Sequence, residues 1–252
     1  MKRRWKTLLG AIGALVVIVG VAVAWFMHRF TAETSVMTPA PTSHLVDNVY
    51  AIQDEFVNMF LIEDSGRYIA IDAGKDIDIV RRELARLQVP ADSVVAVLLT
   101  HTDMDHVAAL PLFPHAVTYL ASAEVDMLTG KQQKVPFYSN SMPREDYAVL
   151  SDGQVLNLGN VKVQCILTPG HTSGSMCFKV DEKYLFTGDI LSLKGGMVGP
   201  SVEFFDMNHD AAIRAITTVK GLAGVQYLFT SHHGFSPDYS AAFQTWDAAK
   251  AL

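Results

Sequence analysis

Thiols, basic clusters and serine-nucleophile signatures are all scarce in this chain. Only two cysteines, Cys165 and Cys177, occur in 252 residues, and the absence of thiolates among the candidate ligands argues against a closed structural zinc centre. They lie symmetrically about His171, so a hairpin there could set them face to face. An oxidising compartment would allow a bridge; the alternative is a pair of buried free thiols. Of the 20 basic residues five lie in the first thirty positions, which hold no acid. The rest of the chain carries 15 basic against 26 acidic residues, a net −11, and no Lys/Arg run. Phosphate contacts need clustered Lys and Arg, so nucleic acid is excluded as a partner. Ser173 and Ser175 sit in no nucleophile-elbow pattern, which argues against covalent serine catalysis.

What is abundant is apolar surface. Half of the chain is hydrophobic and 18% is charged, enough for one large domain or two small ones. The positive mean hydropathy is inflated by the N-terminus, where Lys2, Arg3, Arg4 and Lys6 precede an uncharged run from Thr7 to Met27. About 20 apolar residues span a hydrocarbon core. Residues 1–30 therefore read as a single-pass membrane anchor crossing through residues 8–27, with the N-terminus cytoplasmic and the domain outside. The alternative is a signal peptide cut near Ala22-Val23-Ala24, leaving a secreted or periplasmic protein. Residues 31–43, with Pro39 and Pro41, read as a flexible tether, and the folded domain as residues 44–252.

Within the domain, short apolar runs with turn signals predict a β-meander over 46–71, ending at Asp72-Ala73-Gly74. Ile77, Ile79, Val80, Leu84 and Leu87 have helical spacing, and Pro90 stops that helix. The apolar run Val94–Leu99 is a buried strand. A short helix follows, broken around Pro111 and Pro114, then a strand at 117–120 and a helix at 121–128. Lys131–Asp146 shows no period and reads as a long loop forming a lid or substrate wall. Strands are expected at 155–158, 161–167, 176–180, 184–186 and 225–230, an irregular Gly-rich segment at 191–208, and helices at 209–222 and 238–250. The β-rich-then-α pattern occurs twice. Two such halves back to back give two packed sheets with helices outside.

Chemistry gathers at strand ends. Thr100-His101-Thr102-Asp103-Met104-Asp105-His106 places four potential metal ligands directly after the buried strand. Desolvated His and Asp in that density are costly unless a cation compensates them; a polar turn capping a helix at Asp105 is the plainer alternative. His171, Asp189 and His232 or His233 each follow a strand of their own. Six or seven His and Asp ligands are too many for one tetrahedral metal and suit two, roughly 3.5–4 Å apart.

These motifs resemble the metallo-β-lactamase-fold hydrolase superfamily, whose signature is H-x-H-x-D-H followed by separate His, Asp and His ligands. Supporting matches are Asp47-Asn48-Val49-Tyr50, Ile71-Asp72-Ala73-Gly74, Thr168-Pro169-Gly170-His171-Thr172-Ser173-Gly174-Ser175, Thr187-Gly188-Asp189 and His232-His233-Gly234, in the family's order. The resemblance covers Asp47 to the C-terminus. It implies an α+β, four-layer αβ/βα sandwich with a dinuclear site at one edge. By position, His101 and His171 would bind one metal, Asp105, His106 and His233 the other, and Asp189 would bridge. His233 is preferred to His232 because the family's last ligand precedes Gly; His232 then becomes an outer or substrate contact. Asp72 would support the ligand loops, or be a plain turn residue.

One position departs from the pattern. Asp103 stands where most of the family has the second His, which adds negative charge and hardens the pocket. The two divalent ions expected, Zn²⁺ in most of the family, could then be iron or manganese. The implied function is metal-dependent hydrolysis of a small ester, lactone, thioester, β-lactam or phosphoester, by hydroxide generated at the dinuclear centre. Asp105 or a metal-bound water is expected to return the proton to the leaving group. The alternatives are a diiron-type oxidoreductase, suggested by Asp103, and a non-catalytic metal-binding ectodomain.

Overall fold

The computed structural model describes residues 2–134 and 137–247, which divide into two units, Met1–Met37 and Thr38–Leu252. The first unit is one helix, α1 (Lys2–Thr34). Its apolar side chains, among them Leu15, Val16, Val17, Ile18, Val19 and Val21, are exposed on every side. A helix without a polar face cannot satisfy itself in water. The span Leu9–Thr34 is long and apolar enough to cross a membrane, a test that a signal sequence also passes. The expected tether differs from the structure at both its ends. Residues 31–34 continue the helix, where Arg29 pairs with Glu33 at 2.8 Å one turn on.

Residues 38–42 belong to the second unit. Ala40 exchanges two hydrogen bonds with the side chain of Asn58, at 2.7 and 2.8 Å. The Thr38 N–H donates to the His232 carbonyl at 2.8 Å, and Thr42 Oγ1 accepts from the Gln53 N–H at 3.0 Å. The domain thus starts at Thr38 rather than His44, because these backbone groups found partners in the fold.

Seven strands form the first sheet: β1 (Ser43–Val46), β2 (Val49–Asp54), β3 (Val57–Asp64), β4 (Arg67–Ile71), β5 (Val94–Leu98), β6 (Val117–Ala121) and β7 (Ala148–Leu150), side by side in that order. β1 to β4 are the antiparallel meander and β4 to β7 run parallel. The crossover after β4 is α2 (Ile77–Arg86), started by the Asp76 carboxylate, which accepts from the N–H groups of Asp78 and Ile79. α3 (Met104–Val107) follows β5, and α4 (Ser122–Leu128) follows β6.

The second sheet has the order β15-β14-β11-β10-β9-β8. Its members are β8 (Val155–Leu158), β9 (Val161–Leu167), β10 (Met176–Val180), β11 (Tyr184–Phe186), β14 (Tyr227–Thr230) and β15 (Gly234–Ser236). Between β11 and β14 run the hairpin β12 (Leu191–Lys194) and β13 (Met197–Pro200), then α5 (His209–Lys220). That hairpin corrects the irregular segment expected over 191–208. Gly195 and Gly196 both take positive φ (59° and 80°), the backbone that a two-residue turn between strands requires. The last helix, α6 (Tyr239–Ala242), is shorter than the 238–250 expected, of which residues 248–250 lie outside the described residues.

Side-chain alternation sorts the core into layers. Phe60, Ile62, Ile69 and Ile71 of the first sheet meet Val163, Phe178, Phe186 and Phe229 of the second. Phe186 and Phe229 stack at 4.6 Å between centroids, and Phe60 closes on Phe186 at 5.4 Å. On the outer faces, Leu61 and Val97 pack on Val80 and Leu84 of α2, while Leu185 and Leu228 pack on Ile213 and Ile216 of α5. The result is the four-layer αβ/βα sandwich. Cys177 pairs with Ile166 and Cys165 with Phe178 across the β9–β10 ladder. One residue of offset puts the thiols on opposite faces, Cys165 in the inter-sheet core and Cys177 in the outer one, so both are free. Burial pushes them up to about 11 and about 12.

Candidate metal centre

The centre begins where β5 stops. After Leu98 the chain runs extended through residues 101–103 before the single turn of α3. Asp103 is the N-cap of that turn but its side chain makes no capping bond. Its carboxylate instead accepts from Asn140 Nδ2 at 2.9 Å and faces His171 Nε2 at 3.2 Å. Asp105 does lie in the first turn of α3, as the capping alternative expected.

Strand ends deliver the other ligands. Thr187-Gly188 leaves β11 and presents Asp189. Gly188 has a φ of 57°, and a Cβ there would lie 2.7 Å from Thr100 Oγ1; only glycine lets the two strand exits pass so closely. His171 follows Gly170, whose φ is 154° and whose hypothetical Cβ would meet the Ala212 backbone N at 2.3 Å.

Three groups of side chains converge closely enough to hold an ion: His101, Asp103 and His171; His101, His106 and Asp189; and Asp105, His106 and His232. Asp189 lies at the middle. Its carboxylate oxygens are 3.8 Å from His101 Nε2, 3.4 Å from His106 Nε2, 3.4 Å from His171 Nε2 and 2.9 Å from His232 Nε2. Asp105 Oδ2 is 3.6 Å from both His106 Nε2 and His232 Nε2.

Every one of these four imidazoles is fixed from behind through Nδ1. His101 Nδ1 meets Thr100 Oγ1 at 3.0 Å, His106 Nδ1 meets Asp72 Oδ2 at 2.9 Å, His171 Nδ1 meets Asp206 Oδ1 at 3.1 Å, and His232 Nδ1 meets the Phe56 carbonyl at 2.8 Å. An imidazole held outward by Nδ1 offers Nε2 inward, which is how metal-binding histidines are oriented. Inside, the buried atoms His101 Nε2, His106 Nε2 and Asp189 Oδ1 have no hydrogen-bond partner. Buried polar atoms left unpaired are expensive, and divalent cations bound among these groups would satisfy them. The residues present fit a metal site.

Charge balance tells the same story. Burial raises the Asp189 carboxyl, but the surrounding imidazoles of His232, His106, His171 and His101 hold it well below the usual range. Burial pushes His106 down, yet Asp189, Asp105 and Asp72 lift it well above 6.5. His171 is depressed by burial and Lys134, and raised by Asp189, Asp103 and Asp206, to a net value of about 9. Protons stand where cations are wanted, and metal binding would release them.

His232, not His233, joins the cluster. The Phe56 carbonyl captures His232 Nδ1, and the His232 carbonyl accepts from Thr38. His233 is in none of the three converging groups, and its backbone N–H donates to Thr230 Oγ1 at 3.0 Å. Burial and the neighbouring His232 push its imidazole down to about 4. Asp72 is more than a turn residue. It is left-handed (φ 62°), and besides holding His106 its carboxylate accepts from Thr100 N at 2.8 Å.

Four contributors carried no sequence signal. Glu124, fully buried at the start of α4, accepts from Thr102 N at 2.7 Å and Thr102 Oγ1 at 2.5 Å with one oxygen, and from Thr172 Oγ1 at 2.5 Å and Gly174 N at 3.2 Å with the other. It ties the two ligand loops together. Asp206 holds His171 and also His209, at 2.6 Å, which gives His209 a structural place while Asn208 caps α5. Lys134 and Asn140 reach Asp103 from the 131–146 loop, the segment expected to wall the site.

Comparison with known proteins identifies the family and the fold. Residues 52–232 match the family model of the metallo-β-lactamase superfamily. The chain is 37% identical over 148 residues to the "Probable polyketide biosynthesis zinc-dependent hydrolase BaeB" of Bacillus velezensis, covering 56% of this chain and 58% of that protein. It is 28% identical over 159 residues to an atrochrysone carboxyl ACP thioesterase of Aspergillus chevalieri, covering 61% and 46%. It is also 25% identical over 204 residues to the acyl-coenzyme A thioesterase MBLAC2 of Bos taurus, covering 68% of each. The chain spans about half the length of the curated relatives that head the comparison. In fold it is similar to the MIM-2 metallo-β-lactamase (TM-score 0.59, 22% identity, 77% of each chain). A metallo-β-lactamase family protein of Thermus thermophilus is similar too (TM-score 0.62, 19% identity, 82% of this chain and 79% of that one).

Proposed function

The chain belongs to the metallo-β-lactamase superfamily, and from that premise we propose that it is a metal-dependent hydrolase acting on a small acyl thioester. One ion would be held by His101, Asp103 and His171, a second by Asp105, His106 and His232, with Asp189 shared between them. Bound there, the metal supplies Lewis-acid polarisation of the substrate carbonyl and acidifies water to near neutrality. Zinc is the first candidate, since relatives are named as zinc-dependent hydrolases.

The chain's own residues do the positioning. Thr100, Asp72, Asp206 and the Phe56 carbonyl keep four Nε2 atoms aimed inward, so the ligand geometry is set before any ion arrives. Asp105 is partly open to solvent and borders His106 and His232, a place from which it can take the proton that the attacking water gives up and pass it to the departing thiolate. The thioester is preferred over lactone, β-lactam and phosphoester because two relatives are named as thioesterases.

The observation that carries this reading is the set of four back-anchored imidazoles around unpaired buried ligand atoms. The test is metal analysis of the purified full chain, coupled to a panel of thioester, ester, lactone, β-lactam and phosphodiester substrates. Bound zinc with preferential thioester cleavage is expected. Undiminished turnover after complete removal of metal would overturn the reading.

The helix α1 is proposed to be a single-pass anchor. Lys2, Arg3, Arg4 and Lys6 lie on its N-terminal side, which favours a cytoplasmic N-terminus and an extracytoplasmic catalytic domain. Carbonate-resistant membrane association of the intact chain, with the domain digested by protease added from outside, is the expected result. A soluble product beginning after Ala24 would establish the signal-sequence alternative.

A further inference from the structure

The two ion pockets are not equivalent, and the residue that separates them is Lys134. Its ammonium lies 2.5 Å from Asp103 Oδ2 and 2.9 Å from His171 Nε2. Asp103 Oδ2 is the oxygen that also faces His101 Nε2 at 3.6 Å and His171 Nε2 at 3.2 Å. The lysine therefore sits on two of the three ligand atoms of this pocket. Its side chain is largely enclosed, at 15% exposure, and the other Asp103 oxygen is taken by Asn140. The extra negative charge that Asp103 brings is thus already neutralised from within the protein.

The opposite pocket is different. Asp105, His106 and His232 face one another and Asp189, and among the described residues no lysine or arginine is paired with them. His106 Nε2 and Asp189 Oδ1 remain without partners on that side, as His101 Nε2 does on the other, so the lysine is what distinguishes the two. An incoming divalent ion there has only imidazole and carboxylate groups to rearrange, the His232–Asp189 contact among them, whereas in the Asp103 pocket it must also break an enclosed lysine–carboxylate pair. Breaking such a pair is costly, and each 1.4 kcal/mol is tenfold in affinity.

We propose that Lys134 is a built-in competitor for metal at the Asp103 pocket, so that the Asp105–His106–His232 pocket loads first and the Asp103 pocket only when Lys134 withdraws. The inference rests on the metal-site reading above. It makes metal stoichiometry a property of a loop lysine rather than of the ligands alone.

Zinc titration of the metal-free full chain in detergent, by calorimetry and by elemental analysis after gel filtration, tests it. Wild type should bind one equivalent tightly and a second about ten- to a hundredfold more weakly. Lys134→Met, similar in length but uncharged, should bring the second affinity to within a few-fold of the first. Lys134→Arg should behave like wild type, and Lys134→Gln serves if the methionine variant melts early. Two equally tight equivalents in wild type, or a second affinity unchanged or weaker in the uncharged variants, would overturn the role of Lys134 while leaving the metal centre standing. No zinc bound by any variant would remove the metal reading itself.

Discussion

The inter-sheet core and the metal centre are both buried, yet they are held together by opposite means. Around Phe60, Phe186 and Phe229, rings pack on one another and on aliphatic neighbours, and the packing is its own support. At the sheet edge, His101, His106, His171 and His232 are equally hidden, but each has a polar partner behind it, and His101 Nε2 and His106 Nε2 have none in front. Apolar burial stabilises without further conditions, whereas polar burial stabilises only when every donor and acceptor is answered. Replacements on each side should therefore fail in different ways.

The largest effect belongs to the shared carboxylate. Asp189→Ala should abolish both turnover and bound metal, because it removes the carboxylate that all four imidazoles face; elemental analysis and the substrate panel check it. Full metal content in this variant would break the contrast between core and centre. Phe229→Ala should cost about 3–5 kcal/mol of stability while the folded fraction keeps its metal content, read by denaturant melts beside elemental analysis.

Asp72→Asn is subtler. It keeps the size of the side chain but loses the charge behind His106, so metal affinity should fall about 10- to 100-fold with a modest change in melting temperature. An equal loss from Asn58→Ala, which lies outside the cluster, would mean that general loosening and not His106 orientation is responsible.

The smallest effect comes from the thiols. Burial raises both folded-state values above the ordinary 9.0. The unfolded chain therefore loses its thiol protons first as pH rises. Their contribution is intact below about pH 9 and declines above it, by about 1.4 kcal/mol per pH unit for each thiol until its folded value is passed. Alkaline denaturation of wild type against Cys165→Ala should show the shallower slope in the variant, and neither thiol should react with Ellman's reagent at pH 8 before unfolding.

Much of this molecule is legible from the residues alone, because the signals are local. Alternation and turn residues predict the strands, and the spacing of Ile77, Val80 and Leu84 predicts α2. The run from His101 to His106 marks metal chemistry within one short segment, since ligands that close in sequence cannot be far apart in space. Other features rest on partners distant in the chain. The choice of His232 over its neighbour depends on the Phe56 carbonyl, 176 residues away. Glu124 matters only because two loops meet over it, and Lys134 only because its loop folds back onto Asp103. The opposite facing of Cys165 and Cys177 needed the strand register, in which one residue of offset reverses a side chain. Local sequence can specify which ligand types occur and where strands end. Which of two adjacent histidines turns inward, and which cation meets Asp103, is settled by hydrogen bonds that exist only once the two sheets have packed.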